Sequence, residues 1–172
     1  MGRLAGTETE KNILAAFTEE AESLVKYVIF SENTEYAELR ETWKDIANHE
    51  MEHAEAFLKL LYEIDNDKSN VEQSIALEGY VSAVDYPSSA EVARAEGFED
   101  VALVFERIAA IEARHKKIFS LLKNRIESGD FFSGGRIWMC TECGYIVTGS
   151  EPPDFCPVCN HPKKDFKLYK EV

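Results

Sequence analysis

Two short motifs carry most of the chemistry available to this sequence: Glu50-Met51-Glu52-His53 and Glu112-Ala113-Arg114-His115. Each is an ExxH. On a helix, residues three apart are neighbours on one face, so each motif can present a carboxylate and an imidazole to one ion. Both lie on apolar stripes. Val101, Val104, Phe105, Ile108, Glu112, His115, Phe119 and Leu122 step by three or four residues, as do Trp43, Ile46, Ala47, Glu50, His53, Ala54, Phe57 and Leu61. A bare carboxylate on a core-facing stripe is costly unless something compensates it. Two more acids interrupt stripes in the same way. Glu20 stands among Ile13, Phe17, Leu24, Tyr27 and Val28, and Glu78 among Val71, Ser74, Ile75 and Val81. Four carboxylates and two imidazoles suit a pair of divalent ions, iron or manganese, which would offset the buried charge. Tyr27 and Tyr86 are candidate hydrogen-bond donors to such a site. Glu19, Glu22, Glu52 and Glu55 fall off the stripes and read as solvated.

A second constellation closes the chain. Cys140-Thr141-Glu142-Cys143 and Cys156-Pro157-Val158-Cys159 hold all four cysteines. Two CxxC loops offer four thiolates to one tetrahedral ion, and the spacing is compatible with zinc or iron. In a reducing compartment this pattern reads as metal binding rather than disulfides. Gly144 follows the first loop and lets backbone N–H groups turn toward sulfur. Asn160 follows the second and can adopt the same backbone conformation. Trp138, Tyr145, Phe155 and Phe166 are the expected small core around the ion.

The elements that must position these residues are helical. Periodicity predicts helices over residues 9–33, capped by Thr7 or Thr9, and over 34–64. A polar break at 65–70 precedes a helix over 71–85. Tyr86-Pro87 predicts a kink or stop. A short helical stretch over 88–96 ends at Gly97, and a long helix covers 98–126. Four amphipathic helices without a strand before residue 136 predict a four-helix bundle. Ser128-Gly129-Asp130 and Ser133-Gly134-Gly135 read as a linker, dividing the chain into a bundle at 1–132 and a four-cysteine domain at 133–172.

The 172 residues are 45% hydrophobic, enough for a core and a small added module. With 32 acidic against 19 basic residues the net charge is −13, which argues against nucleic acid or an anionic membrane as partner. No apolar run is long enough to span a bilayer and no signal-type segment opens the chain, so a cytoplasmic location is expected.

Thr9-Glu10-Lys11-Asn12-Ile13-Leu14, Glu20, both ExxH motifs, Tyr86-Pro87 and the tail from Cys140-x-x-Cys143-Gly144-Tyr145 to Cys156-Pro157-x-Cys159-x-His161-Pro162-Lys163 resemble the rubrerythrin family. The resemblance covers nearly the whole chain. It implies a mainly α fold, a ferritin-like di-iron four-helix bundle followed by a small rubredoxin-like domain, with iron rather than zinc in the four-cysteine site. It implies a non-haem peroxidase that reduces hydrogen peroxide to water, electrons entering at Cys140, Cys143, Cys156 and Cys159 from a rubredoxin or a reductase. By the same resemblance Glu50 and Glu112 match bridging carboxylates, Glu20 and Glu78 terminal ones, His53 and His115 imidazole ligands, and Tyr27 the site tyrosine.

Two departures bear on function. The family carries a glutamate three residues after the acid matched by Glu78; here that position is Val81. The remaining six ligands equal the simpler set of ferritin-like oxidases, so oxygen reduction or ferroxidase activity is the competing enzymatic reading, and a non-catalytic metal-binding protein the third. The second departure is the short connection between the second and third helices. A parallel crossover has to span about 25 Å or more at the α-helical rise. About seven extended residues reach only about 24 Å. The expectation is therefore a homodimer in which helices are exchanged between chains. The linker at 128–135 also argues for electron transfer between subunits rather than along one bundle.

Overall fold

The computed structural model describes residues 4–61, 65–129 and 136–171. By compactness the chain divides after Asp65, into residues 1–65 and residues 66–172.

The first unit is a helical hairpin of α1 (Glu8–Glu32) and α2 (Ala37–Leu61). Thr7 is the cap that forms: its hydroxyl accepts from the Glu10 N–H at 3.1 Å, and the Glu10 carboxylate accepts from the Gly6 N–H at 2.6 Å. Both bonds satisfy N–H groups near the helix start that lack helical partners. The two helices are antiparallel: Phe30 stacks at a tilt on Trp43 near the turn, and Glu20 meets His53 further along. Ala47 and Ala54 are the buried contacts, small enough to let the helices approach. Residues 62–64, the expected end of the second helix, lie outside the described residues.

The second unit begins earlier than the polar run predicts. Asn66 caps α3 (Asp67–Tyr80), its side chain accepting from the Ser69 N–H at 3.0 Å, so 67–70 are helical rather than a break. The helix does not stop at Tyr86-Pro87. It widens into one π turn over Val81–Asp85 and continues as α4 (Tyr86–Ala95). Proline explains this, because it has no N–H to give and its ring clashes with the carbonyl four residues back. A wider turn moves that carbonyl away, and the Tyr86 N–H bonds to the Val81 carbonyl instead. The Ser82 hydroxyl donates to the Glu78 carbonyl at 2.6 Å. Gly97, with φ 88°, ends α4 as predicted: the Phe98 N–H reaches the Ala93 carbonyl at 2.8 Å and the Gly97 N–H reaches that of Arg94.

The long helix α5 (Glu99–Ser128) runs antiparallel to α3, with ion pairs Lys68–Glu127 and Lys123–Glu72 marking the register. Against α4 it packs on Ala90, Ala93 and Ala102, with Phe105 alongside. Gly79 sits under the Lys116 side chain, where a Cβ would lie 3.1 Å from Nζ.

The tail forms a three-stranded antiparallel sheet in the order β2-β1-β3, from β1 (Arg136–Cys140), β2 (Ile146–Gly149) and β3 (Phe166–Glu171). The Trp138 indole N–H donates to the Gly149 carbonyl at 3.1 Å and ties β1 to β2. Linker residues 130–135 lie outside the described residues. Among the described residues no helix is long and apolar enough to cross a membrane.

Candidate metal centres

Among the described residues, three clusters of donor side chains bring their ligand atoms within 4.8 Å of one another: Glu20, Glu50 and His53; Glu78, Glu112 and His115; and Cys140, Cys143, Cys156 and Cys159. All ten residues singled out as ligands from the sequence fall in these clusters. The six bundle residues fall in two sets of three, one in each unit.

In the first set His53 Nδ1 is 3.0 Å from Glu50 Oε2 and 3.5 Å from Glu20 Oε2. The hydrogen bond with Glu50 raises the His53 pKa above its ordinary range, against an opposing pull from burial. The Glu20 carboxyl is also raised, chiefly because it shares a hydrogen bond with Glu50. In the second set His115 Nδ1 lies 2.7 Å from Glu112 Oε2. Burial raises the Glu78 pKa, and its hydrogen bond with Glu112 adds to that. Each set therefore presents two carboxyls that do not ionise comfortably side by side, together with one imidazole. A cation between them reverses this logic, and hard oxygen plus imidazole donors suit iron or manganese. The two sets arise from the same geometry: an ExxH on one helix, and a single glutamate opposite it on an antiparallel neighbour.

Val81 lies within the π turn, three residues past Glu78, and Ser82 is committed to the Glu78 carbonyl. Tyr27 is half-buried seven residues after Glu20, on the same stripe, with its ring 6.5 Å from that of Phe30. Tyr86 stacks at a tilt on Phe105 at 5.7 Å.

The four-cysteine site is built from two matching loops. In the first, the Gly144 N–H returns to the Cys140 carbonyl at 3.0 Å and the Cys140 N–H bonds to the Tyr145 carbonyl at 2.9 Å. In the second, the Asn160 N–H returns to the Cys156 carbonyl at 2.8 Å and the Cys156 N–H bonds to the His161 carbonyl at 2.8 Å. Gly144 has φ 74° and Asn160 φ 61°, so the asparagine takes the left-handed conformation expected of it. Cys140 and Cys156 are buried, and His161 Nδ1 lies 3.3 Å from Cys159 Sγ. Burial holds the Cys143 thiol far above its ordinary range, a penalty a bound ion removes by taking the sulfur as thiolate. The core around the site holds Tyr145, Val158 and Phe166, with Trp138 partly buried. Phe155 departs from expectation: it is 61% exposed, paired at a β-bridge with Pro162 rather than packed on the site.

Sequence reasoning did not find the residues that seat this module. Ile118 and Leu121 of α5 pack against its core, Lys117 Nζ donates to the Val158 carbonyl at 2.6 Å, and the Arg125 charge opposes the rise that burial gives the Tyr145 pKa. These residues lie off the ligand stripe of α5, where a cation reads as a solvated face; the pattern of one helix carries no signal for a module that folds back on it.

The chain is similar to known proteins over nearly its whole length. A family model described as "Rubrerythrin" matches residues 11–123, and one described as "Rubrerythrin, rubredoxin-like domain" matches residues 138–167. Rubrerythrin of Nitratidesulfovibrio vulgaris is 33% identical, over 98% of this chain and 97% of that protein. Rubrerythrin of Clostridium perfringens is 32% identical over 100% of both chains. A solved structure titled "Partially Reduced State of Nigerythrin" aligns over 98% of this chain and 90% of that one, at 24% identity and a TM-score of 0.43.

Proposed function

Because the chain belongs to the rubrerythrin family, we propose that it is a non-haem di-iron peroxidase that reduces hydrogen peroxide to water in the cytosol. The fold class is mainly α, a ferritin-like helical bundle followed by a small rubredoxin-like domain, and the cofactors are a di-iron site and one iron among the four cysteines. The proposed division of labour is residues 1–132 for the chemistry and residues 133–172 for electron relay.

The observation that carries the reading is the duplicated donor set, a carboxylate pair plus a histidine in each unit, beside a complete four-thiol site. In the proposed roles Glu50 and Glu112 would hold the metal pair as its shared carboxylates, Glu20 and Glu78 would serve as its outer ones, and His53 and His115 would offer Nδ1, the ring nitrogen already turned toward the carboxylates. When bound, the di-iron pair supplies Lewis acidity and electrons for cleaving the O–O bond. The balance is one peroxide, two electrons and two protons to two waters. Tyr27, on the Glu20 stripe, is the proposed proton or hydrogen-bond donor. An electron-donor protein, a rubredoxin or a reductase, returns electrons one at a time to the four-cysteine site.

The partner that completes the di-iron site is proposed to be a second copy. Leu61 stands eight residues beyond His53, about 12 Å of helix, and Glu78 eleven beyond Asp67, about 17 Å. A parallel crossover that levels the two sets within one chain spans about 28 Å at that rise. Six chain steps from Leu61 to Asp67 reach about 21 Å. The early start of α3 thus sharpens the expectation of exchanged helices. Exposed apolar residues on both units, Val25 and Val28 in the first and Leu77, Val104 and Ile111 in the second, supply the surface that such an exchange buries.

A second reading, oxygen reduction or ferroxidase activity, draws on Val81 in place of a seventh ligand. Stopped-flow reoxidation of the reduced, iron-loaded protein separates the two. Faster reoxidation by peroxide than by oxygen is expected; the reverse order would overturn the peroxidase assignment.

A further inference from the structure

The four-cysteine module is seated on α5, and the seat is built from two cations. The carbonyl that accepts from Lys117 belongs to Val158, inside the second cysteine loop, and Val158 is itself buried. Tyr145, two residues after Cys143 of the first loop, is a buried residue; burial pushes its hydroxyl pKa up, and the nearby charge of Arg125 opposes that rise. Ile118 and Leu121, which lie between the two cations in sequence, pack against the core of the module. One cysteine loop is therefore bonded to a cation of α5, and the other has a second cation acting on the tyrosine that follows it. Other lysines of this acidic chain pair with carboxylates, as in Lys11–Glu8, Lys59–Glu55 and Lys68–Glu127. Among the described residues Lys117 has no carboxylate at ion-pair distance, so its charge faces the cysteine loop unneutralised by a local partner.

Lys117 is also two residues from His115, about 3 Å along the helix axis. The seat thus places the four-cysteine module on the helix that carries Glu112 and His115, in the same chain.

We propose that Lys117 and Arg125 are positioning residues for the four-cysteine centre: they dock the module on α5 beside the Glu112–His115 set and raise its reduction potential. Four thiolates around a ferric ion carry a net charge of about −1 and around a ferrous ion about −2, so a fixed cation nearby favours the reduced form. The inference goes beyond the peroxidase reading and does not depend on which oxidant is used.

The test uses the full-length, iron-loaded protein and its Lys117→Gln, Arg125→Gln and doubly substituted forms. The midpoint of the iron–thiolate visible band is read in a spectroelectrochemical titration. Each neutralisation is expected to shift the oxidised-to-reduced ratio on the order of threefold to tenfold toward oxidised, a fall of about 30–60 mV for one electron. Lys117→Arg keeps the charge and restores the parent potential. In parallel, amide hydrogen exchange in the double variant is expected to rise across residues 156–161 and 117–125, with the helical far-UV signal unchanged. The exchange measurement needs no particular oxidant, so it separates failure of this inference from failure of the peroxidase assignment. A midpoint within twofold of the parent ratio in the double variant, or unchanged exchange at those residues, overturns the proposal.

Discussion

Glu78→Gln in the metal-free protein separates the cost of the ligand set from its use. Glu78 is part-buried, and one of its carboxylate oxygens lies within 4.8 Å of a Glu112 oxygen. Two unit charges at that distance repel by about 3.5 kcal/mol at an effective dielectric of about 20, and by about 0.9 kcal/mol in water. Partial exposure discounts the larger figure, leaving about 1–2 kcal/mol. Glutamine keeps the shape and removes the charge. Because the folded-state pKa of Glu78 is raised, the carboxyl contributes stability below the ordinary carboxyl range, and that contribution is lost as pH rises through the raised value. The variant should therefore melt higher than the parent at pH 8, by about 2–8 °C for a chain of this size, with the gap narrowing toward pH 5. Added ferrous ion should invert the order, stabilising the parent and leaving the variant behind, because metal affinity grows as the ligands lose protons. Thermal melts of chelator-treated protein at fixed concentration, with and without metal, measure both effects. A variant that melts below the parent at pH 8 without metal would refute the argument that Glu78 is held at a cost for a cation.

Three further outcomes follow. Val81→Glu adds a carboxylate beside Glu78 and should change the di-iron absorption spectrum and the relative rates with peroxide and oxygen; an unchanged spectrum would show that position 81 does not face the metal. Gly79→Ala should be neutral or stabilise by up to about 1 kcal/mol in denaturant melts, since the helix gains from alanine and the close neighbour is only the flexible end of Lys116; a loss above about 1 kcal/mol would mean the Lys116 chain cannot move. Thr7→Ala removes the acceptor for the Glu10 N–H and should cost about 1 kcal/mol in the same assay, with a null effect showing that the α1 terminus is already frayed.

Much of the molecule was legible because its chemistry is written in helical period. Glu50 with His53, and Glu112 with His115, needed only a three-residue step to be read as ligands, and the two CxxC loops needed only their own spacing. Asn160 was read correctly from its place after a cysteine loop. What was not legible depended on competition between local rules. Asn66 looked like part of a break and is a cap, because a polar run and a helix start share the same residues. Pro87 looked like a kink or a stop; the helix does not stop there but is carried through by a π turn, because the chain can widen rather than end. Phe155 looked like core and is exposed, since the small domain fills its interior with Tyr145, Val158 and Phe166. Lys117 and Arg125 were invisible, because their partners are set by how the tail folds back on α5.

The π turn has a consequence for what lengths this helix tolerates. Five residues, Val81–Asp85, fill a span that an ordinary α-turn closes with fewer, so the segment behaves as a one-residue insertion confined to a single turn. Glu78 before it and Tyr86 after it keep the faces they would have without the extra residue. Deleting Ala83 alone would return the chain to α geometry and set the Pro87 ring against the carbonyl four residues back. Deleting Ala83 together with Pro87→Ala removes both the insertion and its cause. Length and sequence are linked at this point of the helix, and a single-residue deletion is silent only when position 87 changes with it.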